Sequence, residues 1–328
     1  MRAFVCERYS DHQDLVAREV PIPQATSGQL VVEVAAIGIG FPEMLTLQGK
    51  YQFKPKLPFI PGAEISGVVR ESTHSELIVG TKVMGHVRLG AYAEFVAADS
   101  ALFLPLPKKF SFAQGATYLT AYRTAHVALV VRGGLVQGET LLVHGAAGGV
   151  GLAAVQLGKA LGATVIATAS SAAKLAAAKD RGADHCLCVT ATDGRFRDAV
   201  KELTDGQGAN VIFDPVGGDV FDESMRCIAP FGRLLVIGFA SGRIPQASVN
   251  YALIKQISIV GVRAGEYGRL NPVGGAAVNE ALLEYADTGA VQPAIYREFP
   301  FEALPQAFED IAKRRVIGRN VVARLDDA

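Results

Sequence analysis

The chain has 328 residues, half of them apolar, with 32 basic and 32 acidic side chains and a formal net charge of zero. That length suits one large or two ordinary domains with a sizeable core, and the even charge balance gives no general electrostatic reason to bind nucleic acid or an anionic membrane. No apolar run is long enough to span a bilayer, the short apolar run between Arg2 and Glu7 lacks the form of a signal peptide, and Cys6, Cys186, Cys188 and Cys227 sit at neither disulfide nor metal-ligand spacing, which fits reduced thiols in a cytoplasmic protein.

Residues 1–115 read as mainly β. Arg2–Cys6, Gln29–Ala35, Ile65–Val69 and Tyr92–Val96 are strand candidates, the second rich in β-branched residues. Glycines and prolines punctuate them at short intervals, as in a barrel-like β domain, and Pro58–Gly62 is a turn suited to lining a cleft. From residue 112 the character changes. Phe112–Val131 has helical spacing, broken by Gly133 and Gly134. Strands then alternate with helices: strands at Thr140–His144, Thr164–Thr168, His185–Cys188, Asn210–Asp214, Arg233–Ile237 and Ile257–Val262, helices at Val150–Leu161, Ala172–Arg181, Phe196–Leu203 and Phe221–Ile228. This alternation predicts an α/β, doubly wound parallel sheet with helices on both faces. After Pro272 come a long helix, a short helix over Pro305–Lys313 and a last strand, Asn320–Ala323, in a tail expected to return to the first domain. The basic run Lys313, Arg314 and Arg315, with Arg319, reads as a solvated helix end rather than a nucleic-acid patch, with a hold on a cofactor phosphate as the alternative.

The stretch from Thr140 to Gly151 organises the rest. An apolar strand runs into Ala146-Ala-Gly148-Gly149-Val-Gly151, a dinucleotide-binding turn with alanine at its first glycine position. Gly148 lets the backbone approach a pyrophosphate, Gly151 lets the helix pack against the strand, and the helix start offers unpaired N–H groups and a positive dipole end. A site for NAD usually carries an acid about 20 residues on, bound to the ribose hydroxyls. Here Ser170 and Ser171 hold that place, Lys174 follows, and the next acid is Asp180. Hydroxyls and an ammonium suit a 2′-phosphate, so NADPH is expected as cofactor. Ser171 also reads as a helix cap. The histidines (12, 74, 86, 126, 144 and 185) are scattered and pair with no cysteine at ligand spacing, so no metal is expected.

The chain resembles the zinc-independent quinone oxidoreductase branch of the medium-chain dehydrogenase/reductases over nearly its whole length. Gly38–Glu43, Gln48–Tyr51, Leu57–Glu64, Thr124–Ala125, His144–Gly151, Gly182–His185, Asp214–Gly218 and Gly238–Gly242 carry the resemblance. It implies a GroES-like catalytic domain from residues 1–118 and 288–328 around a Rossmann cofactor domain from 119–287. It implies NADPH, a small-molecule quinone or enone acceptor, and a homodimer. Carried onto this chain, cofactor contacts fall on Thr124, Ala147, Gly148, Gly149, Val150, Gly217, Phe239, Ala240 and Asn320, besides Ser170, Ser171 and Lys174. Zinc ligands of relatives correspond to Gly40, Ala63 and Thr120, none of which replaces them. Many relatives have asparagine where this chain has Gly40, which opens space or removes a hydrogen bond. Relatives that bind NADP often have tyrosine where Val189 stands, and the region Glu71–Thr81 is shorter than usual.

The combined expectation is a reductase of quinones or α,β-unsaturated carbonyl compounds. Tyr51 is its candidate substrate hydroxyl, against packing in the cleft wall, and Thr124 its candidate hydrogen-bonding group near the nicotinamide, against a bond to its own helix backbone. An enoyl-thioester reductase of the same fold and a non-catalytic NADPH sensor are the alternatives. Ile257–Val262, an apolar strand late in the sheet, is the expected edge at which a two-fold partner would join.

Overall fold

The computed structural model describes residues 1–191 and 193–323, and the chain divides into two compact units, residues 121–291 and residues 1–120 with the tail from Gln292. The first of these carries a six-stranded sheet. Its order from edge to edge is His185–Cys188, Thr164–Ala169, Thr140–Val143, Ala209–Asp214, Ile228–Val236 and Ser258–Gly261, all parallel. The chain lays down Thr140–Val143 first, works outward to one edge, then returns and works outward to the other. The reversal lies between Thr140–Val143 and Ala209–Asp214. Strands covered on both faces must be apolar throughout, and Leu141, Leu142, Val143, Val211, Ile212 and Phe213 are all 0% exposed.

The crossover helices are Gly149–Ala160, Ala172–Asp180, Arg197–Glu202, Asp219–Cys227 and Val249–Lys255, followed by Ala264–Leu270 and Pro272–Thr288. Three stretches differ from expectation, one of them the unforeseen helix Ala264–Leu270. Val249–Lys255, also unforeseen, packs Tyr251 and Ala252 on the core and leaves Val249, Leu253 and Ile254 79%, 79% and 73% exposed, so its apolar residues do not mark one face. The stretch expected as one helix from Phe112 to Val131 is three pieces: Phe112–Gly115, Leu119–His126 and a wider π-helical turn, Val127–Arg132.

The other unit is mainly β. Its seven-stranded sheet runs Ile295–Phe299, Arg319–Ala323, Gln29–Ile39, Glu64–Ser72, Lys82–His86 and Phe103–Pro105, with Phe95–Asp99 also paired to Gln29–Ile39. Bulges at Val31/Val32 and Val34/Ala36 bend that central strand. The tail does return: Arg319–Ala323 lies antiparallel to Gln29–Ile39. A separate pair joins Arg2–Val5 to Val16–Glu19. Leu30, Ile37, Ile39, Ile65, Tyr92, Phe103 and Phe308 fill the core. The strand expected at Tyr92–Val96 is displaced to Phe95–Asp99, since Tyr92 is drawn into that core. A short helix, Phe41–Leu47, follows Gly40 directly and carries the charge cluster described below. Among the described residues no helix is long and apolar enough to cross a membrane.

Candidate cofactor and substrate site

In the parallel sheet the loops of interest all leave the carboxyl ends of strands. Thr140–Val143 leads into the turn at Gly145–Gly148, and Ala209–Asp214 leads into Pro215–Gly218. These two loops flank the reversal of strand order, where open α/β sheets bind ligands. A Cβ at Gly145 would lie 3.4 Å from Val216 Cγ2, so the loops touch. Gly148 caps the helix Gly149–Ala160, whose first internal bond is Leu152 N–H to Gly148 O at 2.8 Å. The N–H groups of Gly149, Val150 and Gly151 therefore lie outside the helix's own ladder, and Gly148, Gly149 and Val150 are half-buried.

The two glycines named in the sequence answer to different demands. A Cβ at Gly151 would stand 2.3 Å from Gly145 O and 2.8 Å from Ala146 Cα, so the protein itself requires glycine. A Cβ at Gly148 would meet only Gly145 O at 3.5 Å, an ordinary contact. Packing leaves room for a side chain there, and a dinucleotide's pyrophosphate would use that room.

Two buried polar side chains hold the turn in place. His144 is 0% exposed. Its Nδ1 is 2.9 Å from Thr168 Oγ1 and its Nε2 2.8 Å from Ser224 Oγ. Ser224 donates its one proton to Val220 O at 2.7 Å, so its oxygen accepts from Nε2–H, and Thr168 donates to Nδ1. Both ring nitrogens are satisfied by the neutral ring, and burial brings its pKa down to about 3. Asp214, 1% exposed, accepts from the N–H groups of Val216 and Gly217 at 2.8 and 2.9 Å and so shapes its loop. Burial pushes its carboxyl up against those two donors. The next loop over packs beside it: Ala240 N–H reaches Pro215 O at 3.1 Å, Ser241 N–H reaches Val216 O at 2.9 Å, and a Cβ at Gly217 would lie 3.0 Å from the Phe239 ring. The structure thus brings Ala147–Val150, Gly217, Phe239 and Ala240 to one end of one sheet.

Ser170 and Ser171 follow the strand Thr164–Ala169 at the same end. Ser171 Oγ accepts from Lys174 N–H at 3.4 Å and caps Ala172–Asp180, while Lys174 Nζ donates to Ser170 Oγ at 3.4 Å. Thr190, not foreseen, joins them by donating to Ser170 O at 3.1 Å. Val189 N–H bonds Ala169 O at 3.0 Å, which sets its side chain's neighbourhood next to Ser170. Thr124 is half-buried on Leu119–His126, following Tyr122, whose hydroxyl accepts from Gln156 at 2.8 Å, and Arg123, which donates to Asn279 at 2.9 Å.

The β unit holds the remaining candidates. Tyr51 is half-buried in the loop after Phe41–Leu47, its N–H on Leu45 O at 3.2 Å. Asn320 is 0% exposed, with Nδ2 donating to Ala307 O at 2.7 Å and Oδ1 without a partner. Beside it in sequence, Arg319 donates from Nε to Ile39 O and from Nη2 to Glu64, each at 3.1 Å. Glu64, 0% exposed, also accepts from Thr120 N–H at 2.9 Å. Gly40 is not open: a Cβ there would lie 2.7 Å from Glu43 Oε2 and 3.2 Å from Arg319 Nη2. Sequence reasoning passed over Glu43, Glu64 and Arg319 as a cluster, because only the folded tail brings Arg319 to Glu64 across 255 residues. Among the described residues no group of histidines, cysteines and carboxylates is arranged to hold a metal ion.

A parallel sheet with glycine-turn loops at its switch point, paired with a mainly β unit, defines a nucleotide-dependent dehydrogenase or reductase. Comparison with known proteins agrees. The alcohol dehydrogenase GroES-like domain family matches residues 26–108 and the zinc-binding dehydrogenase family residues 149–279. Quinone oxidoreductase-like protein 2 homolog of Nematostella vectensis is 39% identical, over 90% of this chain and 82% of its own. A mycobacterial protein solved in complex with NADPH superposes with TM-score 0.91 at 29% identity, over 98% of this chain and all 100% of its own. The quinone oxidoreductase of Thermus thermophilus, also solved with NADPH, gives TM-score 0.84 at 30% identity, over 98% and 100% of the two chains. The chain belongs to the quinone oxidoreductase family of medium-chain dehydrogenase/reductases.

Proposed function

We propose that this chain is an NADPH-dependent reductase of quinones or α,β-unsaturated carbonyl compounds that works without zinc. The observation that carries the reading is the set of loops at the carboxyl ends of the parallel strands, with room at Gly148 and hydroxyls and an ammonium, but no acid, over Ser170–Lys174. The residues fit the cofactor. The N–H groups of Gly149 and Val150 would take the pyrophosphate, and Ser170, Ser171 and Lys174 the 2′-phosphate. Gly217, Phe239 and Ala240 would border it, and Thr124 would serve the nicotinamide end.

When bound, NADPH supplies a hydride from nicotinamide C4. The chain's part is to hold and orient: most of the rate comes from placing donor and acceptor in reacting geometry. Tyr51 and Thr124 supply hydroxyl groups for the acceptor and the nicotinamide. The space at Gly40, used for a metal ligand in zinc-binding relatives, is filled here by Glu43 and the guanidinium of Arg319. Elemental analysis should therefore find no stoichiometric zinc, and one zinc per chain lost together with activity would contradict this. We assign the protein to the cytoplasm and to a homodimer joined at the edge strand Ser258–Gly261.

The test is NADPH oxidation followed by absorbance against a panel of simple quinones and enones. Steady turnover of at least one is expected. Tight NADPH binding with no turnover of any would leave a sensor in place of an enzyme. One observation favours the enoyl-thioester reading as second choice: Lys50, Lys54 and Lys56 are exposed around Tyr51, and Arg88 lies over the Phe53 ring of the same loop at 3.8 Å. Such a surface suits an anionic nucleotide tail. A coenzyme A enoyl ester turned over far better than its short tail-less thioester would move that reading to first place.

A further inference from the structure

The hydrogen-bond donors and acceptors around Ser170 do not cancel. Ser170 Oγ accepts from Lys174 Nζ, and Ser171 Oγ accepts from Lys174 N–H, each at 3.4 Å. Each hydroxyl also carries one proton of its own. Among the described residues, neither serine donates that proton to a protein group. Ser170 is exposed and Ser171 half-buried. Two adjacent hydroxyl protons without a protein acceptor, beside an ammonium, are a donor set suited to an anion.

The set is held from the neighbouring strand. Thr164–Ala169 and His185–Cys188 run parallel with Cys188 opposite Ala169, and His185–Cys188 is the edge of the sheet. Val189 N–H reaches Ala169 O at 3.0 Å. One residue further on, a side chain makes the join: Thr190 Oγ1 donates to Ser170 O at 3.1 Å. That oxygen belongs to the peptide group linking the two serines, which is one rigid plane. Holding it sets ψ of Ser170 and φ of Ser171, and so the directions in which both side chains leave the chain.

The role of Thr190 follows from counting protons. A carbonyl only accepts, so the single hydroxyl proton of Thr190 lies on Ser170 O. Cys188 Sγ is 3.2 Å from Thr190 Oγ1, and with that proton committed the thiol is the donor there. Thr190 therefore has no proton left for a ligand and acts through Ser170.

We propose that Thr190 is a positioning residue that sets the preference for a cofactor bearing a 2′-phosphate, by tying Ser170 O to the exit of the edge strand and so holding the Ser170 and Ser171 hydroxyls as a pair of donors toward that phosphate. This rests on the NADPH reading, in which Ser170, Ser171 and Lys174 take the 2′-phosphate. Valine at 190 keeps the shape of the side chain and leaves the carbonyl of an exposed residue to water. The loop stays folded, and the two serines lose their common direction. NADH has no 2′-phosphate and is indifferent to that loss.

The experiment compares wild type with Thr190→Val, Thr190→Ser and Cys188→Ala. Binding is read by fluorescence titration with NADPH and NADH, and by displacement with 2′,5′-ADP and 5′-AMP. Thr190→Val should weaken NADPH and 2′,5′-ADP by about fivefold, the size of one hydrogen bond, and change NADH and 5′-AMP by less than about twofold. Thr190→Ser, which keeps the hydroxyl, should bind NADPH within about twofold of wild type. Cys188→Ala removes the thiol but leaves the Thr190 proton on Ser170 O, so it should also match wild type. Thermal melts of all four should coincide. Equal weakening of NADPH and NADH in Thr190→Val overturns the proposal. So does an unchanged NADPH preference in that variant, or a loss in Cys188→Ala as large as in Thr190→Val. Wild type that binds NADPH no better than NADH fails the NADPH reading itself, and the proposal falls with it.

Discussion

The two units treat most of their buried polar groups differently, although His126 Nδ1 in the parallel-sheet unit lacks a partner and Glu64 in the β unit is paired. In the parallel-sheet unit His144 lies fully enclosed, yet both ring nitrogens meet hydroxyl partners within 2.9 Å, and Asp214 spends one oxygen on two backbone N–H groups. In the β unit Glu43, Tyr92 and Asn320 are buried with an oxygen each left over. A satisfied network rigidifies the turn it supports, whereas an unsatisfied one is retained at a cost in stability. On the proposed function, the difference separates scaffold from chemistry: the parallel-sheet unit would present backbone to its cofactor, and the β unit would keep side chains in reserve.

The largest way to break this comparison is at the turn. Gly151→Ala forces a Cβ against backbone at 2.3 Å and should lower NADPH affinity by about a hundredfold or more, near 3 kcal/mol, with a lower melting temperature. Gly148→Ala, which has room, should leave melting unchanged and still weaken NADPH. Fluorescence titration with thermal melts separates the two, and equal melting losses would refute the distinction.

Next in size is His144→Leu, which strands the Thr168 and Ser224 hydroxyls and should cost about 2–3 kcal/mol in urea unfolding at neutral pH. The sign of the pH effect follows from the folded pKa of about 3 against an ordinary 6.5. Between those values the unfolded chain binds the extra proton, so this stability is present above pH 6.5 and drains as pH falls toward 3. Unfolding midpoints at neutral and mildly acid pH should show the loss in wild type and a smaller one in His144→Leu.

Lys174→Ala should weaken NADPH about tenfold, roughly 1.4 kcal/mol, and leave NADH nearly unchanged. Equal losses for both would remove Lys174 from the 2′-phosphate. The smallest functional effect is expected at the far edge of the sheet. Proline at Ser258 or Val260, whichever N–H faces a partner, should split the dimer and spare NADPH binding. A monomer mass for wild type by light scattering would refute that assembly.

Legibility in the sequence followed locality. The six parallel strands are apolar runs between glycines, and the cofactor turn is contiguous, so both were readable from spacing. Val16–Glu19 was not, because all four residues are exposed and show no alternation. Helix Phe41–Leu47 hides behind Gly40, which offers no side-chain cap, and Pro42. Lys82–His86, Phe103–Pro105 and Ile295–Phe299 were not readable either, because Gly85, Pro105 and the adjacent Arg297 and Glu298 interrupt their apolar pattern. In the candidate site, Ser170, Ser171 and Lys174 were visible as a run. The Glu43, Glu64 and Arg319 cluster was not, since charge pairing across a folded tail leaves no local trace.

The outermost strand has one more consequence. Ile259 on it is 38% exposed, and the helix before it shows Leu253 and Ile254 to solvent at 79% and 73%. If a second copy covers this surface, heat resistance obeys mass action. Each tenfold dilution then removes about 1.4 kcal/mol per dimer, so the melting temperature drifts downward in dilute samples. Abundance itself becomes a determinant of how long the folded protein lasts.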